Sequence, residues 1–464
     1  MSGLHSHEGE LEKALARLGG HVPFADLMAE RHIGESTSLD SKATSVSAEP
    51  RMQGAILRAW EGRYWVEAAT SDFDPRSLSA AVERLVQAAS RSPTHNPPPG
   101  QAATTRGEWS TKPRRPMSAL GPEGMVARAR TALGWAKSVK GIGEAQIRIQ
   151  WEEEERLYLN TAGARCSQTT NRTHFTGVPV AIEGGRAEFD FLNSGGIGGE
   201  EILDALTEEN LTATARRSKE LLSAKAPPSG SMSVILDPSV AGLFAHESFG
   251  HGTEADQFLR DRSYLKPLLG AQVGPDFLSI ADDGALPGEW GSIYCDDEGH
   301  PGQKTTLVEK GRFVGALHDS ETAAAYRVKP TGNTRRSDFL SRAFVRMTNT
   351  YVEPGDRTLE ELVAEVKQGV LLERGTSGIE DPLGGQMQLK VKMGHRIENG
   401  QIKELVSSMA LSGRVLDFMK AIRAVGRRAD FSIQPGFCGK GHSDYLPVGS
   451  GGVYLLSDAV VGPA

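Results

Sequence analysis

The sequence predicts an α+β protein. A mixed α/β N-terminal portion precedes a large β-rich C-terminal domain, built as a twisted antiparallel sheet or barrel. Three observations lead there. Glycine supplies 53 of 464 residues, above the usual share of about 7%, and so many tight turns go with hairpins. Hydrophobic residues at 38% suffice for real cores in a chain this long. Hairpin signals concentrate after residue 300.

Each element follows in order. In residues 1–90, Ala55–Trp60 and Tyr64–Ala68 bracket the turn Glu61-Gly62-Arg63 and read as a hairpin. Asp74-Pro75 then opens a helix, with Asp as cap and Pro at the first position. Its Leu78, Val82, Leu85, Val86 and Ala89 share one face. Residues 91–116, rich in Pro, Thr, Gly and Ser, read as a linker. Residues 117–230 form a middle α/β segment. There Ile147, Ile149 and Trp151 alternate as in a strand, and Glu152–Glu155 reads as a solvated strand end. A strand pair turns at Gly184-Gly185, and a helix is expected from about Glu200 to Ala224. Asn193–Glu200 is glycine-rich, but its spacing fits a structural turn better than a phosphate cradle.

Residues 231–464 form the C-terminal domain. Lys310-Gly311 and Glu398-Asn399-Gly400 each separate two alternating runs, and Asn-Gly favours the turn in which both central residues need positive φ.

Charge and cysteine content exclude several classes. The net charge of −7 lacks the basic stripe of a nucleic-acid binder. No stretch approaches the ~20 apolar residues of a membrane span, and the N-terminus has no apolar signal-peptide core. Cys166, Cys295 and Cys438 are too few and too scattered for a disulfide framework, which fits a reducing, cytoplasmic setting.

One segment concentrates chemistry. A short strand ends at Asp237-Pro238, which caps a helix carrying His246-Glu247 and then His251. Two histidines beside a glutamate suit a zinc hydrolase, with imidazoles on the metal and the carboxylate activating water. The common spacing is four residues. Five places the rings about 140° apart on a regular helix, so the helix must widen here, as a π-turn does. Gly250 and Gly252 make that inexpensive. A catalytic zinc needs a third protein ligand, and the three cysteines, the other histidines and the carboxylates are all candidates. Cys438 lies in a glycine-rich loop with Lys440 close enough to favour its thiolate.

The ordered blocks resemble the TldD side of the TldD/PmbA family of zinc metallopeptidases, also called modulators of DNA gyrase. They are His246–Asp256, Tyr294–Gly299, Leu317–Asp319, Gly332–Arg336, Arg346–Gly355, Ile397–Gly400 and Gly436–Lys440. The resemblance implies a C-terminal domain holding one Zn²⁺ on His246, His251 and Cys438, with Glu247 as general base. It implies cleavage of unfolded or small peptides, and a homodimer or a heterodimer with a TldE/PmbA-like sister chain. An extended peptide then binds by adding a strand to a sheet edge. Glu254, Asp256, Arg346, Asn349 and His442 are candidate supporting or substrate-binding residues. Glu254 and Asp256 are expected to orient the histidines, and Arg346 or His442 to donate to an oxyanion. The chain departs from the family pattern at Val345, His395, Gly441-His442 and the block 375–387. Those changes admit a small-molecule amide or peptide natural product as substrate. A scaffold with a structural metal is the third reading, and Glu247 speaks against it.

Overall fold

The structure is a computed structural model describing residues 3–90, 96, 98–440 and 443–464. The first half is organised by hairpins of long strands. Helix α1 (Glu8–Gly19) precedes β1 (Phe24–Asp40), β2 (Thr44–Trp60) and β3 (Trp65–Thr70), and α2 (Pro75–Ala89) packs behind them. The expected hairpin is β2–β3, with Trp60 opposite Trp65. Asp74 caps α2 by accepting from the Arg76 and Ser77 amides.

Next come β4 (Arg106–Ser110), α3 (Met117–Ser138), β5 (Ile142–Asn160), β6 (Arg165–Glu183), β7 (Arg186–Phe189), β8 (Leu192–Ile197) and α4 (Glu208–Leu221). Because β1 pairs with both β2 and β5, the first and middle segments share one eight-stranded sheet. Residues 106–110 run parallel to β6.

Three local expectations are corrected. The helix expected from Glu200 to Ala224 is two pieces, a 3₁₀ turn at Glu200–Ala205 and then α4, because Thr207 caps a new start by accepting from the Asn210 amide. Most of the glycine-rich stretch after Asn193 is strand β8, laid against β6. Glu152–Glu155 is not a solvated strand end. It lies within β5, where Glu154 is buried against Arg156 and Arg172 and Glu155 pairs with Arg31. Arg156 is on β5 itself, but Arg172 and Arg31 sit on the neighbouring strands β6 and β1, beyond the reach of local pattern.

The C-terminal half contributes β9 (Gly230–Leu236), β10 (Ile280–Asp283), β11 (Lys304–Glu309), β12 (Arg312–Phe313), β13 (Thr334–Arg335), β14 (Phe344–Val345) and β15 (Asn349–Val352). It continues with β16 (Gln368–Glu380), β17 (Gln386–Glu398), β18 (Gln401–Val406), β19 (Met409–Arg414), β20 (Ala424–Val425), β21 (Ser432–Lys440), β22 (Ser443–Gly452) and β23 (Leu455–Pro463). Strands β16, β9, β23, β19 and β17 form a closed five-stranded barrel, because β16 pairs with β9 on one side and β17 on the other. The β17–β18 turn is Asn399-Gly400, both with positive φ, as its sequence requires.

A second sheet, in the order β12-β11-β10-β15-β22-β21, lies beside the barrel. The core between them takes Phe244, Phe249, Phe258, Leu278, Phe313, Leu389 and Val448. The metal-motif segment runs through this core, leaving barrel strand β9 and packing under β22 and β16. No described helix is long and apolar enough to cross a membrane.

Candidate metal centre

Strand β9 hands the chain to α5 (Pro238–Leu243). Asp237 caps it, its carboxylate accepting from the Val240 amide at 2.8 Å. The helix then widens into a π-helical turn over Phe244–Gly250, which is the deformation that the five-residue spacing demands. The turn brings the rings of His246 and His251 to 5.2 Å between centroids, nearly perpendicular at 80°. Gly250 lets the turn sit tightly, since a Cβ there would come within 2.2 Å of the Met347 sulfur.

Cys438 arrives from β21, with its sulfur 3.2 Å from His251 Nε2. One donor atom from each of His246, His251 and Cys438 lies within 4.8 Å of the others. His246 is 3% exposed, yet among the described residues neither of its ring nitrogens has a hydrogen-bond partner within bonding geometry. A buried imidazole left so is costly unless something binds it. Two nitrogens and a thiolate suit zinc over harder cations, so these residues fit the metal that the sequence implies. Burial opposes ionisation of Cys438, but His246 and His251 outweigh it and bring the thiol down to about 4.

Lys440 does not play the part expected of it. Its ammonium is held by Glu254 at 2.9 Å, Asp256 at 2.7 Å and the Val345 carbonyl at 2.9 Å. Glu254 in turn lies 3.4 Å from His251 Nδ1. Burial raises the Glu254 carboxyl, but Lys440 and His251 bring it down to about 2. Asp256 bonds Lys440 and neither histidine. Arg346, fully buried, donates to the Cys438 carbonyl. Asn349 is spent on structure: its amide donates to the Asp283 carbonyl and Ser292 Oγ, and its oxygen accepts from the Gly291 amide. His442 lies outside the described residues.

Glu247 Oε2 lies 3.8 Å from His251 Nε2. Glu247 and His246 line a cleft of about 670 Å³ whose walls include Leu243 of α5, Gly375–Gly378 of β16 and Gln434–Phe437 of β21. Gly378 allows β16 to cross Glu247 closely, because a Cβ there would meet that of Glu247 at 2.7 Å. Both flanking strands have an open edge. Among the described residues β16 pairs with β9 only as far as Leu372, and β21 pairs only with β22, although its Pro435 and Gly436 carbonyls accept from the Asn193 side-chain amide and the Trp290 indole.

One residue escaped the sequence reading. Glu380 ends β16 with both carboxylate oxygens buried and without a hydrogen bond of good geometry among the described residues, and burial pushes it up to about 8 against the pull of His251 and Tyr264. A lone Glu in a polar hairpin tip carries no local signal of such burial. A second cluster, Glu30, His32 and Glu154, also brings donor atoms within 4.8 Å. Arg156 and Arg172 hold Glu154 at 2.5 and 2.8 Å, so this is a buried ion-pair network.

Comparison with known proteins follows the same lines. The PmbA/TldA metallopeptidase C-terminal domain matches residues 229–459, and the PmbA/TldA metallopeptidase central domain matches 115–225. The chain belongs to the PmbA/TldD metallopeptidase family. A metalloprotease of Methanocaldococcus jannaschii is 37% identical over 308 residues, 66% of this chain and 67% of its own length. The zinc metalloprotease TldD homolog of Saccharolobus solfataricus is 34% identical over 235 residues, 50% of this chain and 52% of its own. The structure of a proposed modulator of DNA gyrase from Thermotoga maritima superposes with a TM-score of 0.79, covering 99% of this chain and 100% of its own at 21% identity. That last likeness concerns the fold. This PmbA/TldD member is thus a metallopeptidase, with its histidine pair and Cys438 inside the matched C-terminal domain.

Proposed function

We propose that this chain hydrolyses peptide bonds in unfolded or short peptides, with one Zn²⁺ per chain held by His246, His251 and Cys438. One observation carries the reading: His246, buried with both ring nitrogens unbonded among the described residues, lies beside His251 and an acidified Cys438 at the floor of an open cleft. When bound, zinc supplies a Lewis acid that acidifies water and polarises a carbonyl. Glu247 takes the proton of the attacking water and delivers it to the leaving amine. Glu254 orients His251 through Nδ1, and Arg346 holds the strand that carries Cys438 rather than the substrate.

The open edges of β16 and β21 support an extended peptide in the cleft, bound mainly through its backbone. Such binding favours unfolded chains over folded domains. The same reading includes a dimer, with a second copy or a TldE/PmbA-like sister chain. The exposed Ile379 and Leu383 beside the cleft support a partner surface there.

The test is zinc-loaded protein against a peptide library and a folded, protease-resistant domain, with Glu247→Gln alongside. Peptides are expected to be cut, the folded domain spared, and the variant to keep its zinc while losing about 10²–10⁴-fold in rate. Equal activity of Glu247→Gln and wild type overturns the reading.

A further inference from the structure

Resting on that reading, we infer that Arg374 is the specificity-determining residue of the cleft and receives a carboxylate of the substrate. Arg374 is the only lysine or arginine lining the cleft among the described residues, and it shares that wall with Phe191, His246 and Glu247.

Its backbone is left-handed, with φ of 63°. For a residue with a side chain this costs on the order of 1 kcal/mol. Glycine adopts it freely, so the strain is explained by what the side chain does. The surroundings enforce it. The Arg374 amide donates to Asp237 Oδ2 at 3.1 Å, and the next amide, Gly375, donates to Ser239 Oγ at 3.0 Å. The β16–β17 register slips between Gly375 and Ser377. The start of α5 thus pins a bulge in β16, and bulges re-aim side chains.

The guanidinium makes no hydrogen bond among the described residues. Its Nε lies 3.7 Å from Asp190 Oδ1, beyond bonding range, while Arg217 Nε takes the other oxygen of Asp190 at 2.7 Å. Two arginines therefore share one fully buried carboxylate, and a positive charge is left over at the cleft wall. Nearby acids are engaged elsewhere: Glu373 with His395 at 2.5 Å, Glu188 with Lys392 at 2.9 Å, and Asp237 with the α5 cap. The guanidinium carbon also lies 5.8 Å from the Phe191 ring, which holds the fork near the cleft while leaving it 30% exposed. A planar, underused fork of donors matches a carboxylate. That carboxylate is either the C-terminus of a short peptide or an Asp or Glu side chain.

The experiment uses four peptides of one sequence: a neutral C-terminal amide, its free acid, and a Glu/Gln pair at one position of the amide form. Binding to zinc-loaded Glu247→Gln protein is read by fluorescence anisotropy, and kcat/KM on the Glu247 protein is read in parallel. Each is repeated with Arg374→Gly, which keeps the left-handed backbone, and Arg374→Lys. A carboxylate peptide is expected to bind about tenfold or more tightly than its neutral partner, as a charged hydrogen bond allows. That ratio falls to about one in Arg374→Gly and is partly restored in Arg374→Lys. The pair showing the effect identifies the source of the carboxylate. Equal binding of all four peptides, or an equal loss across all four in Arg374→Gly, overturns the inference. Preferential binding without any cleavage overturns the peptidase reading and upholds this one.

Discussion

The sulfur of Cys438 lies 3.2 Å from His251 Nε2, although 187 residues separate them in the chain. That distance suits a thiolate–imidazole hydrogen bond and equally two ligands of one metal; the convergence of His246 on the same point favours the metal, and the expected consequence is cooperative loss. Cys438→Ala is predicted to reduce zinc from about one per chain to near zero, measured by inductively coupled plasma mass spectrometry on protein purified without chelator. Full retention of zinc would remove Cys438 from the ligand set.

The π-turn makes a separate prediction. Gly250→Ala drives a methyl to within 2.2 Å of the Met347 sulfur, and overpacking of this kind costs typically about 1–3 kcal/mol. The melting temperature should fall and zinc affinity with it, because the same turn sets the His246–His251 geometry. Met347→Ala in the same protein should recover part of both losses.

Glu254 links His251 to Lys440. Glu254→Gln should weaken zinc binding about 10–100-fold, the usual cost of losing a carboxylate behind a ligating histidine. Competition with a chromophoric chelator measures this. An unchanged affinity would leave Glu254 with only a packing role.

His318 gives a pH dependence independent of the metal. Burial holds its imidazole down at about 4, against an ordinary value of 6.5. A depressed folded value means that the unfolded chain binds the proton first. His318 therefore contributes stability fully present above about pH 6.5, lost as pH falls toward 4, and worth about 3 kcal/mol across that window. Urea unfolding between pH 7 and 4.5 should show this slope in wild type and a flatter one in His318→Gln.

Legibility in the sequence followed locality. The Asp237 cap, the Asn399-Gly400 turn and the widened helix at His246–His251 are short-range devices, and residue types a few positions apart specify them. The helix break at Leu206-Thr207 was local too, but its capping threonine sits between two stretches that each read as helical, Glu200–Leu206 and Glu208 onward. Glu152–Glu155 misled because a charge run looks alike whether it meets water or arginines. Only the pairing of β5 with β1 and β6 brings Arg31 and Arg172 to it. Lys440 and Arg346 show the same limit near the site. Both stand close to the motif in space, yet their partners, Glu254 and the Cys438 carbonyl, are set by sheet topology.

The barrel closes through β23, whose Leu455–Val461 pair antiparallel with β9, the strand that leads into the histidine turn. His246 and His251 are synthesised some two hundred residues before the strand that braces their anchor. Until β21 and β23 emerge from the ribosome, the nascent chain carries the histidine motif without Cys438 beside it and a strand without its neighbour. Such distant pairings form late. On the proposed reading the enzyme is thereby timed as well as built: while unfolded stretches of its own chain are still exposed nearby, the centre that would cut them is not yet assembled.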